Sequence, residues 1–437
     1  MNLWAWVVML GIIFFTLLPF IEKKKRTREE IQKAIITVGI VLGVILAVLL
    51  FDINYVVALL FGFLAMILFD RKTYTKKRLI IYVPLALALV LVGLIYALLR
   101  DNPNYVLKHL KENPQNSSFY LAENGEVAVA YESDIKRPLA STVKILIALE
   151  YAMQVEENKL QKDMLVSLDE LSKFYLKNSD GGAHEAWLEA MQQSNNIQNN
   201  QVTLHDVAKG MITYSSNANT DYLINLLGVE AINTRKNQLG LLQHDDVYPV
   251  VSALYISDAV QTGDMSEEEL INELEAMSFD EYSTIAQQLS RKMQTGEFDL
   301  SEETLELSSK LQKVWSDRLI GASANDYGKL LQLISNDELP TGAAQTMRDL
   351  MEWPMQLNEE NKKHYLHVGS KGGSTMFVLN NAMYVEDLKG NQFEIVYLLN
   401  ELNLLENFLI QKHRKSFEVK LINDIDFRKE VIQELTQ

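Results

Sequence analysis

Arg137-Pro138-Leu139-Ala140-Ser141-Thr142-Val143-Lys144 leads directly into the apolar run Ile145–Leu149. Apolar residues at Val143, Ile145, Leu146, Ala148, Leu149 and Ala152 predict a helix from about Ser141 to Val155 with a wide buried face. Ser141 and Lys144 stand three apart at its start, so they share one face and the ammonium can reach the hydroxyl. Serine is a weak nucleophile until an adjacent base takes its proton. A lysine partly desolvated in a pocket can be that base. The helix N-terminus adds backbone N–H groups and a positive dipole end for a developing oxyanion. The same octet also suits an ordinary helix start, with a capping serine and a surface lysine.

Two later segments carry similar chemistry. Tyr214-Ser215-Ser216-Asn217-Ala218-Asn219-Thr220-Asp221 lies between helical runs. There Ser215 could relay a proton between Lys144 and a leaving group, and Asn217 could bind a substrate amide. A polar interhelix turn has the same composition. Val368-Gly369-Ser370-Lys371-Gly372-Gly373-Ser374 precedes the β-prone residues Met376–Leu379. Glycines such as Gly373 let a strand approach a ligand closely. Lys371 could hold a substrate carboxylate, and the Ser374 N–H could complete an oxyanion hole. A Gly-rich hairpin turn is the plainer reading.

Around these segments the pattern is mixed. Ser118–Ala122 and Val127–Tyr131 flank Asn124-Gly125, which predicts a β-hairpin. Thr203–Thr213 reads as a helix with Thr203 as N-cap and Asp206 as the capping-box acid. Another helix begins at Asp221, and Met265–Ser309 is acidic and helical. Ala382–Val385 and Gln392–Leu399 read as strands, and Leu404–His413 as a helix behind them.

S-x-x-K on a helix, then S-x-N between helices, then a K-G-G strand resembles the penicillin-recognising serine enzymes, the class A β-lactamases and penicillin-binding proteins. The flanks "RPLASTVK", "VTLHDVAKGMITYSSNANTDYLINLLG" (residues 202–228) and "SANDYGKLL" (Ser323–Leu331) with "MRDLMEW" (Met347–Trp353) resemble class A in particular. The resemblance covers residues 118–410 in patches. It implies an α/β (α+β) catalytic domain over 118–437, with an antiparallel five-stranded sheet flanked by helices and an all-α lobe. It also implies a β-lactamase-like serine hydrolase needing no cofactor and no metal. Its catalytic residues would be Ser141, Lys144, Ser215 and Lys371. Asn217, Gly373 and Ser374 would bind substrate, and the Ser141 and Ser374 N–H groups would hold the oxyanion.

The chain departs from that pattern in places. Ser216 stands where the family's S-D-N acid would be, and Gly372 where K-T-G has a threonine. Ser215 lies 74 residues after Ser141, and Lys371 a further 156, longer than class A spacing, which puts the extra residues in Lys173–Gln201 and Asp264–Trp315. Class A enzymes also carry a deacylating glutamate in an E-x-x-L-N context. Leu239–Pro249 contains none, so His244, Asp245 or Asp246 would have to substitute. A chain without that base acylates and turns over slowly, as a D,D-peptidase or a β-lactam or cell-wall sensor.

The first hundred residues are of another kind. Leu3–Ile21, Ala34–Phe51, Tyr55–Phe69 and Leu79–Leu99 are apolar stretches, three of them long enough to span a bilayer and the third short. They predict a four-helix transmembrane anchor over 1–100, followed by a linker with a short helix over 101–117. Lys23, Lys24, Lys25, Arg26 and Arg28 follow the first stretch, and Arg71, Lys72, Lys76, Lys77 and Arg78 the third. These basic loops belong on the cytoplasmic side, which places the catalytic domain outside the plasma membrane. They are short and lack histidine, unlike the zinc-protease loop of β-lactam sensor-transducers. Residues 1–100 hold 12 of the 41 Lys+Arg and 5 of the 57 Asp+Glu, a net of +7 out of −16, which leaves −23 on the rest. So acidic a domain argues against nucleic acid as a partner. The expected partners are the lipid bilayer and a small-molecule or peptidoglycan-peptide substrate. With no cysteine there is neither disulfide nor thiol chemistry. His184-Glu185 is not a zinc motif, because Leu188 stands where a second histidine would be needed. His364 and His367 flank the last catalytic strand and read as surface residues.

Overall fold

The computed structural model describes residues 100–177, 179–298 and 307–436. The four apolar stretches of the first hundred residues lie outside these. Among the described residues no helix is long and apolar enough to cross a membrane.

Helix α1 (Asn104–Glu112) leads to the hairpin of β1 (Ser117–Glu123) and β2 (Glu126–Tyr131). Asn124 and Gly125 both have positive φ, 54° and 84°, the turn whose twist matches that of paired strands. With β3 (Tyr365–Ser374), β4 (Leu379–Asp387) and β5 (Gln392–Leu399) they form an antiparallel sheet in the order β2-β1-β5-β4-β3. β4 is longer than the expected Ala382–Val385, because Asn380 and Asn381 satisfy their polar side chains inside the fold and so continue the strand.

The central strands are buried on both faces. Successive side chains alternate across a strand, so Phe119 and Leu121 join one core cluster while Tyr120 and Ala122 join the other. The first cluster is covered by α1 and by the C-terminal helices. There the helix expected over Leu404–His413 continues to Asn423. The segment read as a linker thus contributes Val106, Leu107 and Leu110 to a core.

The second cluster belongs to the helical lobe, centred on α2 (Lys144–Glu156). Every α2 residue from Lys144 to Ala152 is buried, which marks a helix enclosed on all sides rather than on one wide face. The α-helix begins three residues later than the apolar period suggests, because Ala140–Val143 forms a tighter 3-10 turn. The helical reading of Met265–Ser309 resolves into separate helices among the described residues. Capping boxes at Ser266 and Ser278 open separate helices, Glu267–Ala276 and Phe279–Thr295.

α3 (Leu204–Lys209) starts with the expected Thr203–Asp206 capping box and then widens into a π turn, Gly210–Tyr214. α4 (Asn217–Leu227) begins four residues before the expected Asp221, because Ser216 Oγ accepts from Asn219 N and caps it. Gly210 is pressed against the buried Asn219 and Trp187; a Cβ there would stand 2.7 Å from Trp187 Nε1. Gly210→Ala is therefore expected to destabilise the domain by about 1–3 kcal/mol through overpacking. A thermal melt reads this, and an unchanged midpoint would mean the wall yields freely.

Candidate active site

The 3-10 turn at Ala140–Val143 holds Ser141, partly exposed, just ahead of α2. β3 lies flat against this turn. A Cβ on Gly373 would stand 2.8 Å from Ser141 N and 2.7 Å from Thr142 Oγ1. Only glycine lets the strand backbone come so close to the turn.

Ser141, Lys144, Ser215, Asn217, Lys371 and Ser374 all line one cleft of about 530 Å³, together with Gly373. Three distant segments meet there. Ser215 sits in the left-handed region, φ 71°, at the end of the π turn, which turns both its carbonyl and its hydroxyl toward the lysines. Lys144 Nζ donates to Ser215 O at 2.6 Å and to Asn217 Oδ1 at 2.8 Å, and lies 3.2 Å from Ser215 Oγ. Lys371 Nζ reaches the same hydroxyl at 2.9 Å. Lys144 was expected to reach Ser141 directly. Its hydrogen bonds go instead to Ser215 and Asn217, which the S-x-N segment brings over the first turn of α2.

Both lysines are buried. Burial, reinforced by the charge on Lys371 and opposed by Asp180 and Asp221, holds the Lys144 ammonium well below its usual range. Burial lowers Lys371 to about 7. Around one hydroxyl, two amines with depressed proton affinity can hold and pass protons near neutral pH. Asp221 is pushed up to about 7 by burial, against the backbone N–H groups of Val250, Val251 and Ser252 and the charge of Lys144. It holds the loop behind the cleft, accepting from Val250 N at 2.7 Å and Val251 N at 2.9 Å.

Ser216, at the position where the resemblance would put an acid, is absent from the cleft lining. Its hydroxyl lies 2.9 Å from His184 Nδ1, and burial holds that imidazole below its ordinary value. The groups expected to stand in for the deacylating glutamate are elsewhere too. His244 is buried, stacked on Tyr327 and lowered to about 4 by burial. Asp245 pairs with Lys136 at 2.6 Å and accepts from Gly321 N, and Asp246 pairs with Lys236 at 2.5 Å. None of the three lines the cleft. His367, read as a surface residue, is half-buried between Glu352 and Arg348.

Two charged lining residues escaped the sequence analysis, Asp180 and Arg414. Among the described residues Asp180 is the only carboxylate in the lining. Its Oδ1 accepts from Ala183 N at 3.0 Å, and its Oδ2 from Asn217 N at 3.2 Å. The acid-Gly-Gly turn before Ala183 signals a helix start, but nothing local ties it to Asn217. Arg414 comes from the C-terminal helix, far beyond the last motif.

Residues 103–425 match the family model described as the Beta-lactamase enzyme family. The chain belongs to that family. It is thus a β-lactamase-like serine hydrolase. Several solved structures are similar to it at low identity. A point mutant of PBP-A, in an acyl-enzyme complex with penicillin G, is 15% identical over 74% of this chain and 97% of its own, with a TM-score of 0.43. A β-lactamase from Chitinophaga pinensis is 15% identical over 73% and 99%, with a TM-score of 0.44. One from Sphaerobacter thermophilus is 16% identical over 73% and 97%, with a TM-score of 0.43. No curated protein matches the chain.

Proposed function

We propose that this hydrolase is membrane-anchored and extracytoplasmic, and that it forms an acyl-enzyme with β-lactams or with the D-Ala-type ends of cell-wall peptides. The observation that carries the reading is the shared hydroxyl. Lys144 Nζ and Lys371 Nζ both lie within hydrogen-bond reach of Ser215 Oγ, in the cleft that Ser141 lines. In the step proposed, Ser141 Oγ bonds to the substrate carbonyl carbon and its proton goes to neutral Lys144. The carbon–nitrogen bond then breaks, and the proton passes through Ser215 to the leaving nitrogen. The Ser141 and Ser374 N–H groups hold the oxyanion, Asn217 binds the substrate amide, and Lys371 binds the carboxylate. Fluorescent penicillin and intact-mass measurement on the full chain test this. A Ser141-dependent adduct is expected and Ser141→Ala should lose it. Wild type that forms no adduct with β-lactam or D-Ala-D-Ala peptide ends the reading.

Slow deacylation is the form of this reading that the cleft favours. Its one carboxylate among the described residues, Asp180, already accepts from two backbone N–H groups. Residues 239–249 put no carboxylate into the lining. An acyl-enzyme that accumulates would suit a D,D-peptidase or a sensor.

The pH dependence follows from Lys371. Its ammonium is present below about 7 and lost above it, so binding of an anionic substrate weakens as pH rises. The second-order acylation rate should fall on the alkaline side of about 7. Lys371→Arg keeps its charge throughout and should remove that limb from the profile. An alkaline limb that survives in K371R would assign the titration to another group.

The location rests on the four apolar stretches and on Lys and Arg confined to two of the three short loops between them. Protease added outside intact cells should cut the domain beyond Asp101 and spare the basic loops.

A further inference from the structure

α5 (Leu404–Asn423), the C-terminal helix that supplies Arg414, is apolar on two opposite sides. Ile410, Phe417 and Leu421 point inward and belong to the core under the sheet. Leu404, Leu405, Phe408 and Val419 point outward and are 68%, 62%, 57% and 47% exposed. Positions 404, 408, 415 and 419 recur at helical spacing, so Lys415 lies in the same stripe, with Lys412 one turn after Phe408. Other exposed large apolar side chains, such as Val127, Leu165 and Leu242, sit singly on separate elements, which is ordinary for a protein surface. A clustered stripe on a helix whose inner side is already satisfied is not.

Two observations say what covers it. The first is the way the chain arrives. Asn102 N donates to His413 Nδ1 of α5 at 3.1 Å, and the apolar stretch Leu79–Leu99 ends three residues before Asn102. Three residues span at most about 10 Å. If that stretch crosses the membrane, α5 is tied within reach of the headgroups. The second is charge. Residues beyond 100 carry a net of −23 against the +7 of the first hundred, yet between Leu404 and Val419 the stripe is interrupted only by the cations Lys412 and Lys415 and by Gln411. Exposed leucine and phenylalanine with lysines alongside suit an anionic lipid interface.

We propose that this outward stripe of α5 docks on an anionic bilayer surface. The inference rests on the membrane-anchored reading above and adds an orientation to it. Gln411 and Arg414 of the same helix line the catalytic cleft, so docking holds that wall of the cleft at the membrane.

The chain has no cysteine, so Phe408→Cys or Leu405→Cys carries one polarity-sensitive fluorophore on the full chain, with Leu242→Cys as the exposed control. In vesicles containing phosphatidylglycerol, the label at 408 or 405 should be blue-shifted. Acyl-chain-brominated lipid should quench it several-fold more than at 242. Phosphatidylcholine alone, or Lys412→Glu with Lys415→Glu, should reduce that difference. Fluorescent-penicillin labelling of each variant, which the stripe does not touch, reports that the domain is folded. If the chain floats with vesicles but the label at 408 behaves like that at 242, docking is wrong and anchoring stands. A chain that does not float overturns both. Disulfide cross-linking between two F408C copies in place of quenching would make a second copy the occupant and overturn the proposal.

Discussion

Lys144→Met should lower the acylation rate by about 10²–10⁴-fold, the range that general acid–base groups contribute, while leaving the domain folded. Lys144 is a buried amine on Ser215, and its depressed proton affinity favours the neutral form that the proposed step requires. Methionine fills a similar volume without a charge. With its proton affinity held this low, the amine is uncharged near neutral pH, so methionine relieves only the burial of one neutral polar group. Against this, Ser215 O and Asn217 Oδ1 lose their donor, at about 1–3 kcal/mol each. The lost donor dominates, so the melting temperature should fall modestly while the domain stays folded and the rate collapses. Stopped-flow acylation with a fluorescent penicillin and a melt on the same sample separate the two. A K144M chain that acylates within about threefold of wild type would remove Lys144 from the proton path, since general-base loss costs far more.

Gly373→Ala should cost up to about 10²–10³-fold in acylation, the loss that follows removal of an oxyanion-hole donor. The added methyl would press on Ser141 N and Thr142 Oγ1. The turn cannot retreat, because Leu139 N is held by Ile320 O at 2.9 Å, and Asn380 Nδ2 holds Pro138 O at 2.8 Å and Leu139 O at 3.0 Å. β3 must therefore move away and open the space between Ser374 and Ser141. Gly372→Ala is the matched control: its Cβ would meet Asn380 O at 3.4 Å and Arg414 Nη1 at 3.6 Å, ordinary or nearly ordinary contacts. Acylation rates for the two should differ widely, with G372A near wild type. Equal rates would show that the strand's closeness to the turn has no catalytic role.

What the sequence by itself determined was local. Asn124-Gly125 specifies its hairpin because a two-residue turn with positive φ needs just those residue types. Thr203 and Asp206 specify a helix start because each satisfies the other's backbone donor within one turn. The order of three short motifs was enough to point to the family that residues 103–425 match. The contacts that assemble the site are remote, whether the motifs pointed to them or not. The partners of Lys144 are Ser215 and Asn217, 71 and 73 residues away. Lys371 joins them across 156 residues, and Asp180 reaches Asn217 from a loop whose own pattern shows only a helix start. His244, Asp245 and Asp246 lie after the motif at a family-like position, yet ion pairs and stacking hold them off the cleft. Periodicity and capping are set by residues within a few positions of each other. Which hydroxyl an amine meets depends on how separate helices and strands pack, and only the tertiary structure decided that.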